Sequence, residues 1–365
     1  MPLSDSLRPV YLAGTGHYLP GQVLTNAQMF QMSSVRDAFD VEKARGSLRG
    51  MDPHEVAELA PEEVFDRWAL QLTGIAERRV LPDTPTASTE GMHVEAGNAA
   101  LEHAGIARGD LDLLLAASLT AREDVPNAAC TIAAGLQRPD LPGYVMNSAC
   151  AGFLHAMASA YAFVASGAAD TVLVTVGDAL TRITNWHDPK VAVLFGDGAG
   201  AAILTSRPAG GRLLAAPVLA GEYSADHLNI TGLGWGDPLG PEHRLSMAGG
   251  ANVLRHAIRT MQDVADRALE RTSLEWDDID VVVPHQANER ITQGLDRALQ
   301  LKKGRVLHRI RKLGNLSAST VPIVLDELLR GRHGELADPT RIVLTAVGGG
   351  YASGAAVLEW SPPKA

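Results

Sequence analysis

The stretch Val145–Gly167, VMNSACAGFLHAMASAYAFVASG, decides how this chain is read. GYVM (143–146) is apolar and extended in character. Ala151–Val164 is almost wholly small or apolar, the composition of a helix buried on every side, and Ser166–Gly167 closes it. Cys150, one of 2 cysteines in 365 residues, falls where the strand gives way to the helix. Unpaired N–H groups and the helix dipole favour an anion there, so its thiol pKa is expected to fall. Ala149, Ala151 and Gly152 leave room for a substrate. The competing reading is packing, since free cysteine usually behaves as a small buried hydrophobe. Cys130, in VPNAACTIAAGL, fits that reading; the placement of Cys150 fits a nucleophile.

Working outward, the strand–helix unit recurs. GDLDLLLAASLT (109–120) resembles DDIDVVVPHQAN (277–288), and DTVLVTVGD (170–178) resembles TRIVLTAVGGG (340–350), each pair offset by roughly 170 residues. Helical patterns precede the first strand of each pair, Thr89–Ile106 and Asn252–Thr272, and the second, Ala151–Ser166 and about Ser319–Leu329. The strands are continuous apolar runs, as in sheets buried on both faces. Two similar α/β halves are therefore expected, residues 1–207 carrying the cysteine and 208–365, with a seam in TSRPAGGRLLAAP (205–217).

The repeat also says where partners for Cys150 lie. His285 follows DVVV at the end of a strand, Asn315 sits in LGNLSAST before the helix equivalent to the one bearing Cys150, and AVGGGY follows the last repeated strand. Residues 30–67 form a charged stretch in which DPHE (52–55) supplies an N-cap, a proline at the first helical position and an acid at the third; short surface helices are expected. GDGAGA (196–201) is only loosely spaced for a dinucleotide loop, and a strand-like run follows it, so a tight structural turn is the better reading.

Composition narrows the classes. The chain is 46% hydrophobic and 20% charged, with a formal charge of −10, which argues against a general nucleic-acid binder. No Cys/His pair has zinc spacing, so no metal is expected. No secretory pattern or continuous membrane-spanning run is apparent, and a cytoplasmic protein is the expectation.

Taken together, SACAGF around Cys150, VPHQANERI around His285, GNLSASTVP around Asn315 and GGGYASGAAV resemble the β-ketoacyl synthase III family, the initiating condensing enzymes of the thiolase superfamily. GTGHYLPGQVLTN, TGIAERR, VPNAAC and FGDGAGAAIL match in order along nearly the whole chain. The resemblance implies a thiolase fold, two pseudo-symmetric halves in a five-layer αβαβα sandwich, usually a homodimer. It implies that Cys150 takes an acyl group from an acyl thioester, with acyl-CoA the expected donor. His285 and Asn315 then polarise the carbonyl of malonyl-acyl carrier protein as CO₂ leaves. The Cys150 and Gly349 amides would form the oxyanion hole. No cofactor is implied, coenzyme A arriving as part of the substrate. By the same likeness Trp68, Thr73, Lys190 and Leu254 line the CoA tunnel, Val125 gates the partner's acyl pocket, and Arg255, Arg259 and Arg290 dock the carrier protein.

The chain departs from the family at two arginines of the CoA tunnel, whose places fall at Leu72 and near Pro189, and in the length of the 30–67 stretch. Val125 stands where phenylalanine is frequent, so primers longer than acetyl are expected. Three alternatives remain: a synthase III-like acyltransferase, a head-to-head acyl condensing enzyme of a specialised pathway, and a non-catalytic heterodimer partner. The intact Cys150, His285 and Asn315 favour condensation.

Overall fold

The structure, a computed structural model, describes residues 7–224, 228–230, 244–247, 251–302 and 304–361. Its strands are β1 (Tyr11–Tyr18), β2 (Gln22–Thr25), β3 (Glu77–Val80), β4 (Leu113–Ala117), β5 (Gly143–Met146), β6 (Thr171–Ala179), β7 (Asp197–Thr205), β8 (Gly211–Leu213), β9 (Val218–Ser224), β10 (Leu228–Asn229), β11 (Ser246–Met247), β12 (Val281–Pro284), β13 (Arg305–Val306), β14 (Thr340–Gly348) and β15 (Gly350–Trp360). Its helices are α1 (Asn26–Phe30), α2 (Ser33–Arg36), α3 (Val41–Arg45), α4 (Pro53–Glu58), α5 (Pro61–Thr73), α6 (Thr89–Ala104), α7 (Ala128–Gly135), α8 (Gly152–Ser166), α9 (Pro189–Ala192), α10 (Ala251–Leu269), α11 (Glu289–Leu299), α12 (Ile310–Leu313) and α13 (Thr320–Leu329).

The repeat in the sequence is a repeat in space. One run of strands is ordered β5-β4-β6-β7-β1 and the other β13-β12-β14-β15-β9. In each, the first three strands are parallel and the last two antiparallel. Helices α8 and α13 lie back to back between the two runs, and their side chains (Phe153, Met157, Val321, Leu325) share one core with Val174 of β6 and Leu344 of β14. The outer face of the first run is covered by α6 and α7, and that of the second by α10 and α11. The layers run αβαβα, the expected thiolase arrangement. Apolar strands fall here because both faces of each sheet meet helices.

The seam stretch holds a stitch: β8 pairs with β1 on one side and β15 on the other, so both runs join in one eleven-stranded sheet among the described residues. The division at 207/208 falls between β7 and β8. Three expectations need correction. GDGAGA is strand from Asp197 on, and its glycines serve close packing: a Cβ on Gly200 would lie 2.6 Å from Pro322 of α13. Cys130 is exposed on α7, because the apolar face of that short helix falls on Ala129, Ile132 and Ala133 instead. And one segment, Ala149–Ser166, is long and apolar enough to cross a membrane, but it is the central helix, apolar because protein surrounds it.

The 30–67 stretch forms the expected short helices, with Asp52 accepting from the His54 N–H ahead of Pro53. They are more than surface decoration. Met29, Phe30, Val35 and Phe65 make a separate small core, on which Phe39 packs edge-on against Trp68 with ring centroids 5.0 Å apart.

Candidate active site

Cys150 lies in a tight 3-10 turn, Ala149–Ala151, between β5 and α8. Ala149 adopts φ 46°, a left-handed conformation uncommon for a residue with a Cβ. This turn packs against the turn Ser317–Ser319 and the ends of β14 and β15. Gly348 is pressed so close that a Cβ there would lie 2.6 Å from the Cys150 nitrogen, which is why glycine is needed at the end of β14. Gly349 occupies the turn that follows.

Asn315 is buried and fixed at every backbone atom that can bond: its N–H donates to Leu194 O (2.9 Å) and its carbonyl accepts from Gly196 N–H (3.1 Å). The Ser317 N–H donates to Asn315 Oδ1 at 2.9 Å. The carboxamide oxygen is thereby used, and the NH₂ group remains to donate to a ligand.

His285 ends β12, its N–H donating to Thr345 O of β14. Burial pushes its imidazole down to about 3, so it is neutral. Its Nδ1 lies 2.7 Å from Thr320 Oγ1, which is also 3.1 Å from Ser317 O. One hydroxyl proton serves one acceptor. The shorter contact assigns the hydroxyl proton to Nδ1, the Ser317 carbonyl, which also takes the Thr320 N–H, lying at the longer distance. The ring proton then sits on Nε2, as a donor. Thr320 was not singled out in the sequence, although the hydroxyls of GNLSAST were the available signal.

The expected fall of the Cys150 pKa is overturned. Burial pushes the thiol up to about 11; the Ser317 hydroxyl opposes this, and the negative charge of Asp178 adds to it. Only 7% of the residue is exposed, and desolvation outweighs the helix dipole.

The outlying residues are less uniform. Trp68 is half-buried, covered on one side by Phe39 and Phe65. Thr73 is fully buried at the end of α5, its hydroxyl donating to Ala69 O and accepting from Ile75 N–H. Lys190 is exposed in α9 behind the Asp188 cap. Leu254 packs against the outer core under α10. Arg255 and Arg259 are exposed on α10, Arg259 with Asp263 at 3.6 Å, and Arg290 is exposed in the first turn of the adjacent α11. The start of α11 is tied to the end of α5 by Asn288 Nδ2 donating to Leu72 O. Val125 is 88% exposed in the loop before α7. A cavity of about 780 Å³ opens beside that loop, lined by Asp83, Thr89, Leu119, Thr120, Arg122 and Arg182 among others; Cys150, His285 and Asn315 do not line it.

Residues 144–220 match the family described as 3-Oxoacyl-[acyl-carrier-protein (ACP)] synthase III, and residues 269–360 its C-terminal part. A Bacillus cereus protein named beta-ketoacyl-[acyl-carrier-protein] synthase III 1 is 34% identical over 351 residues, 96% of this chain and 99% of that one. The chain belongs to the β-ketoacyl-acyl carrier protein synthase III family. This synthase III also resembles, in three dimensions, the Aquifex aeolicus 3-oxoacyl-[acyl-carrier-protein] synthase III, with TM-score 0.78 and 31% identity over 96% of this chain and 100% of that one. The priming β-ketosynthase of the R1128 polyketide pathway matches with TM-score 0.81 and 27% identity over 99% of both chains. Synthase III enzymes are acyltransferases, and membership places this chain in that enzyme class. It accounts for the thiolase layers.

Proposed function

We propose that this synthase III loads an acyl group from an acyl thioester onto Cys150 and then condenses it with malonyl-acyl carrier protein. His285 Nε2–H and the Asn315 NH₂ group hydrogen-bond the malonyl thioester carbonyl while CO₂ leaves, holding the enolate charge. The carbanion attacks the acyl-cysteine carbonyl, whose developing oxyanion is met by the backbone N–H groups of Cys150 and Gly349. A β-ketoacyl thioester leaves and the thiol is restored. The observation that carries this reading is that two independent contacts, Ser317 N–H to Asn315 Oδ1 and Thr320 Oγ1 to His285 Nδ1, each turn a hydrogen-bond donor toward a ligand. A decarboxylating site needs two such donors and no charged imidazole.

The reading calls for no cofactor or metal, because a thioester already carries an activated acyl group. A homodimer of two-lobed chains, divided at 207/208, fits the family. The donor is a CoA thioester in this reading, although Leu72 and Pro189 stand in place of two expected arginines and the aromatic cover over Trp68 narrows that approach. Arg255, Arg259 and Arg290 lie on the neighbouring helices α10 and α11, a placement suited to an acidic carrier protein. A head-to-head condensation finds no support at Val125, which has no carboxylate to offer.

Mass spectrometry after incubation with acyl-CoA tests the first half. An adduct on the wild type that is lost in Cys150→Ser is expected; an adduct that survives the substitution refutes the assignment. Release of CO₂ from malonyl-acyl carrier protein tests the second half, and acyl transfer without it would favour a simple acyltransferase.

A further inference from the structure

Gln286, the neighbour of His285, is 1% exposed, and its carboxamide fills a break in the main sheet. Strands β12 and β13 run parallel with Val281 opposite Arg305 and Val282 opposite Val306, and the Leu307 N–H donates to Val282 O at 3.0 Å. In a parallel ladder the next bond would run from the N–H of residue 284 to Leu307 O, and the one after it from the Arg309 N–H to the carbonyl of residue 284. Residue 284 is proline, which has no N–H to give. Gln286 supplies what is missing. Its Nε2 donates to Leu307 O (3.0 Å) and to Pro284 O (2.9 Å), and its Oε1 accepts from the Arg309 N–H (2.8 Å). One side-chain amide stands in for a lost main-chain amide and carries the ladder on to Arg309.

Arg309 is where that ladder meets the site. It caps the N-terminus of α12 without a side-chain cap of its own, and α12 runs out through Gly314 into Asn315. Its guanidinium makes a bidentate pair with Glu327 of α13, Nε at 2.7 Å and Nη2 at 2.9 Å, and that carboxylate is 1% exposed. Helix α13 begins at Thr320, whose hydroxyl oxygen takes the Gln286 N–H at 3.3 Å and lies 2.7 Å from His285 Nδ1. The bonds close a circuit: from Gln286 to Arg309, to Glu327, along α13 to Thr320, and back to Gln286 and His285. Asn315 is anchored to the other lobe through Leu194 and Gly196. The circuit ties His285 of β12 to the segment that carries Asn315.

We propose that Gln286 is a positioning residue for decarboxylation: its carboxamide, backed by the Arg309–Glu327 pair, sets the spacing between His285 Nε2 and the Asn315 NH₂ group. The inference rests on those two groups being the donors to the malonyl thioester carbonyl. Two donors stabilise one enolate oxygen only when both converge on it, and a displacement of about 1 Å can cost roughly 100-fold in rate. Cys150 stands outside the circuit, on the turn between β5 and α8. Acyl loading therefore does not depend on Gln286.

The test measures the two half-reactions separately in Gln286→Met, Glu327→Gln, Arg309→Met and Arg309→Lys. One readout is CO₂ release from malonyl-acyl carrier protein by enzyme already carrying an octanoyl group, and the other is single-turnover acylation of Cys150 by octanoyl-CoA. Gln286→Met keeps the length of the side chain and removes its three bonds. The kcat for CO₂ release should fall about 10- to 100-fold, while KM for malonyl-acyl carrier protein and the rate of acylation each stay within about twofold. Glu327→Gln and Arg309→Met should show the same split at about three- to tenfold, with Arg309→Lys recovering part of the loss, so the proposal is tested even if Gln286→Met does not fold. Unchanged CO₂ release in the variants that fold, or equal slowing of both half-reactions, would overturn the positioning role and leave Gln286 as a filler of the sheet edge. Equal losses in Arg309→Lys and Arg309→Met would remove the ion pair from the circuit. His285→Ala is the control for the reading beneath: CO₂ release at the wild-type rate in that variant would overturn the donor assignment itself, whatever Gln286→Met does.

Discussion

Thr320→Val removes one hydroxyl and nothing else of shape, and its effect should separate the two half-reactions. The hydroxyl lies 2.7 Å from His285 Nδ1 in a fully buried place, and Gln286 N–H reaches the same oxygen at 3.3 Å. Without it, Nδ1 is an unsatisfied buried acceptor. The ring then relieves the cost by moving its proton from Nε2 to Nδ1, where it no longer serves the malonyl carbonyl. Leaving a buried group unpaired costs about 1–3 kcal/mol, which converts to roughly a 5- to 150-fold slower decarboxylation. Loading of Cys150 does not use His285 and should change by less than about twofold. The assay is CO₂ release from malonyl-acyl carrier protein by enzyme already acylated, set against the single-turnover rate of acylation. Thr320→Ser, which restores the hydroxyl, should recover most of the loss. Equal slowing of both half-reactions, or no change in either, would refute the tautomer argument.

Three further outcomes follow from other groups. His93 and His285 titrate near 4 and 3 when folded but near 6.5 when unfolded, so between those values the unfolded chain binds protons that the folded one does not. They make stability fall as pH drops below about 6.5, against a smaller opposing effect from the raised Asp178. His93→Gln should therefore flatten the slope of unfolding free energy against pH in urea titrations, and an unchanged slope would refute the assignment. Arg78 is fully buried and donates to Leu24 O, Asn26 Oδ1 and Val193 O, bracing the segment whose Leu194 holds Asn315. Arg78→Met should lower the urea midpoint by the equivalent of about 3 kcal/mol and slow condensation more than loading. Val125→Phe should shift donor preference from octanoyl toward acetyl, measured as the ratio of kcat/KM; an unchanged ratio would remove Val125 from the acyl pocket.

The fold was legible because it is written twice. Runs such as LLLAA and VVVP read as buried strands only when each is seen as the other's copy, and the paired helices follow with their ends within two or three residues. Cys150, His285 and Asn315 were singled out from the same repeat: His285 follows a repeated strand, and Cys150 and Asn315 each precede a repeated helix. What stayed hidden depends on three-dimensional surroundings. The Cys150 thiol goes up because the residue is buried, which no local pattern reports. Cys130 faces outward because α7 is short and spends its apolar face on alanines and Ile132. Ser317, Thr320 and Asp178 look like ordinary polar residues until their hydrogen-bond partners, from 2 to 60 positions away, are known. Equally hidden was that the Thr73 hydroxyl is bonded within its own helix end.

Helices α8 and α13 come from different halves of the chain yet fill a single apolar interior. Prising the lobes apart would wet Phe153, Met157, Val321 and Leu325 at once, at about 1.5–3 kcal/mol for each large side chain, so the closed sandwich is strongly favoured. By the same reasoning neither lobe is an autonomous folding unit, and a gene cut between β7 and β8 should yield two insoluble fragments.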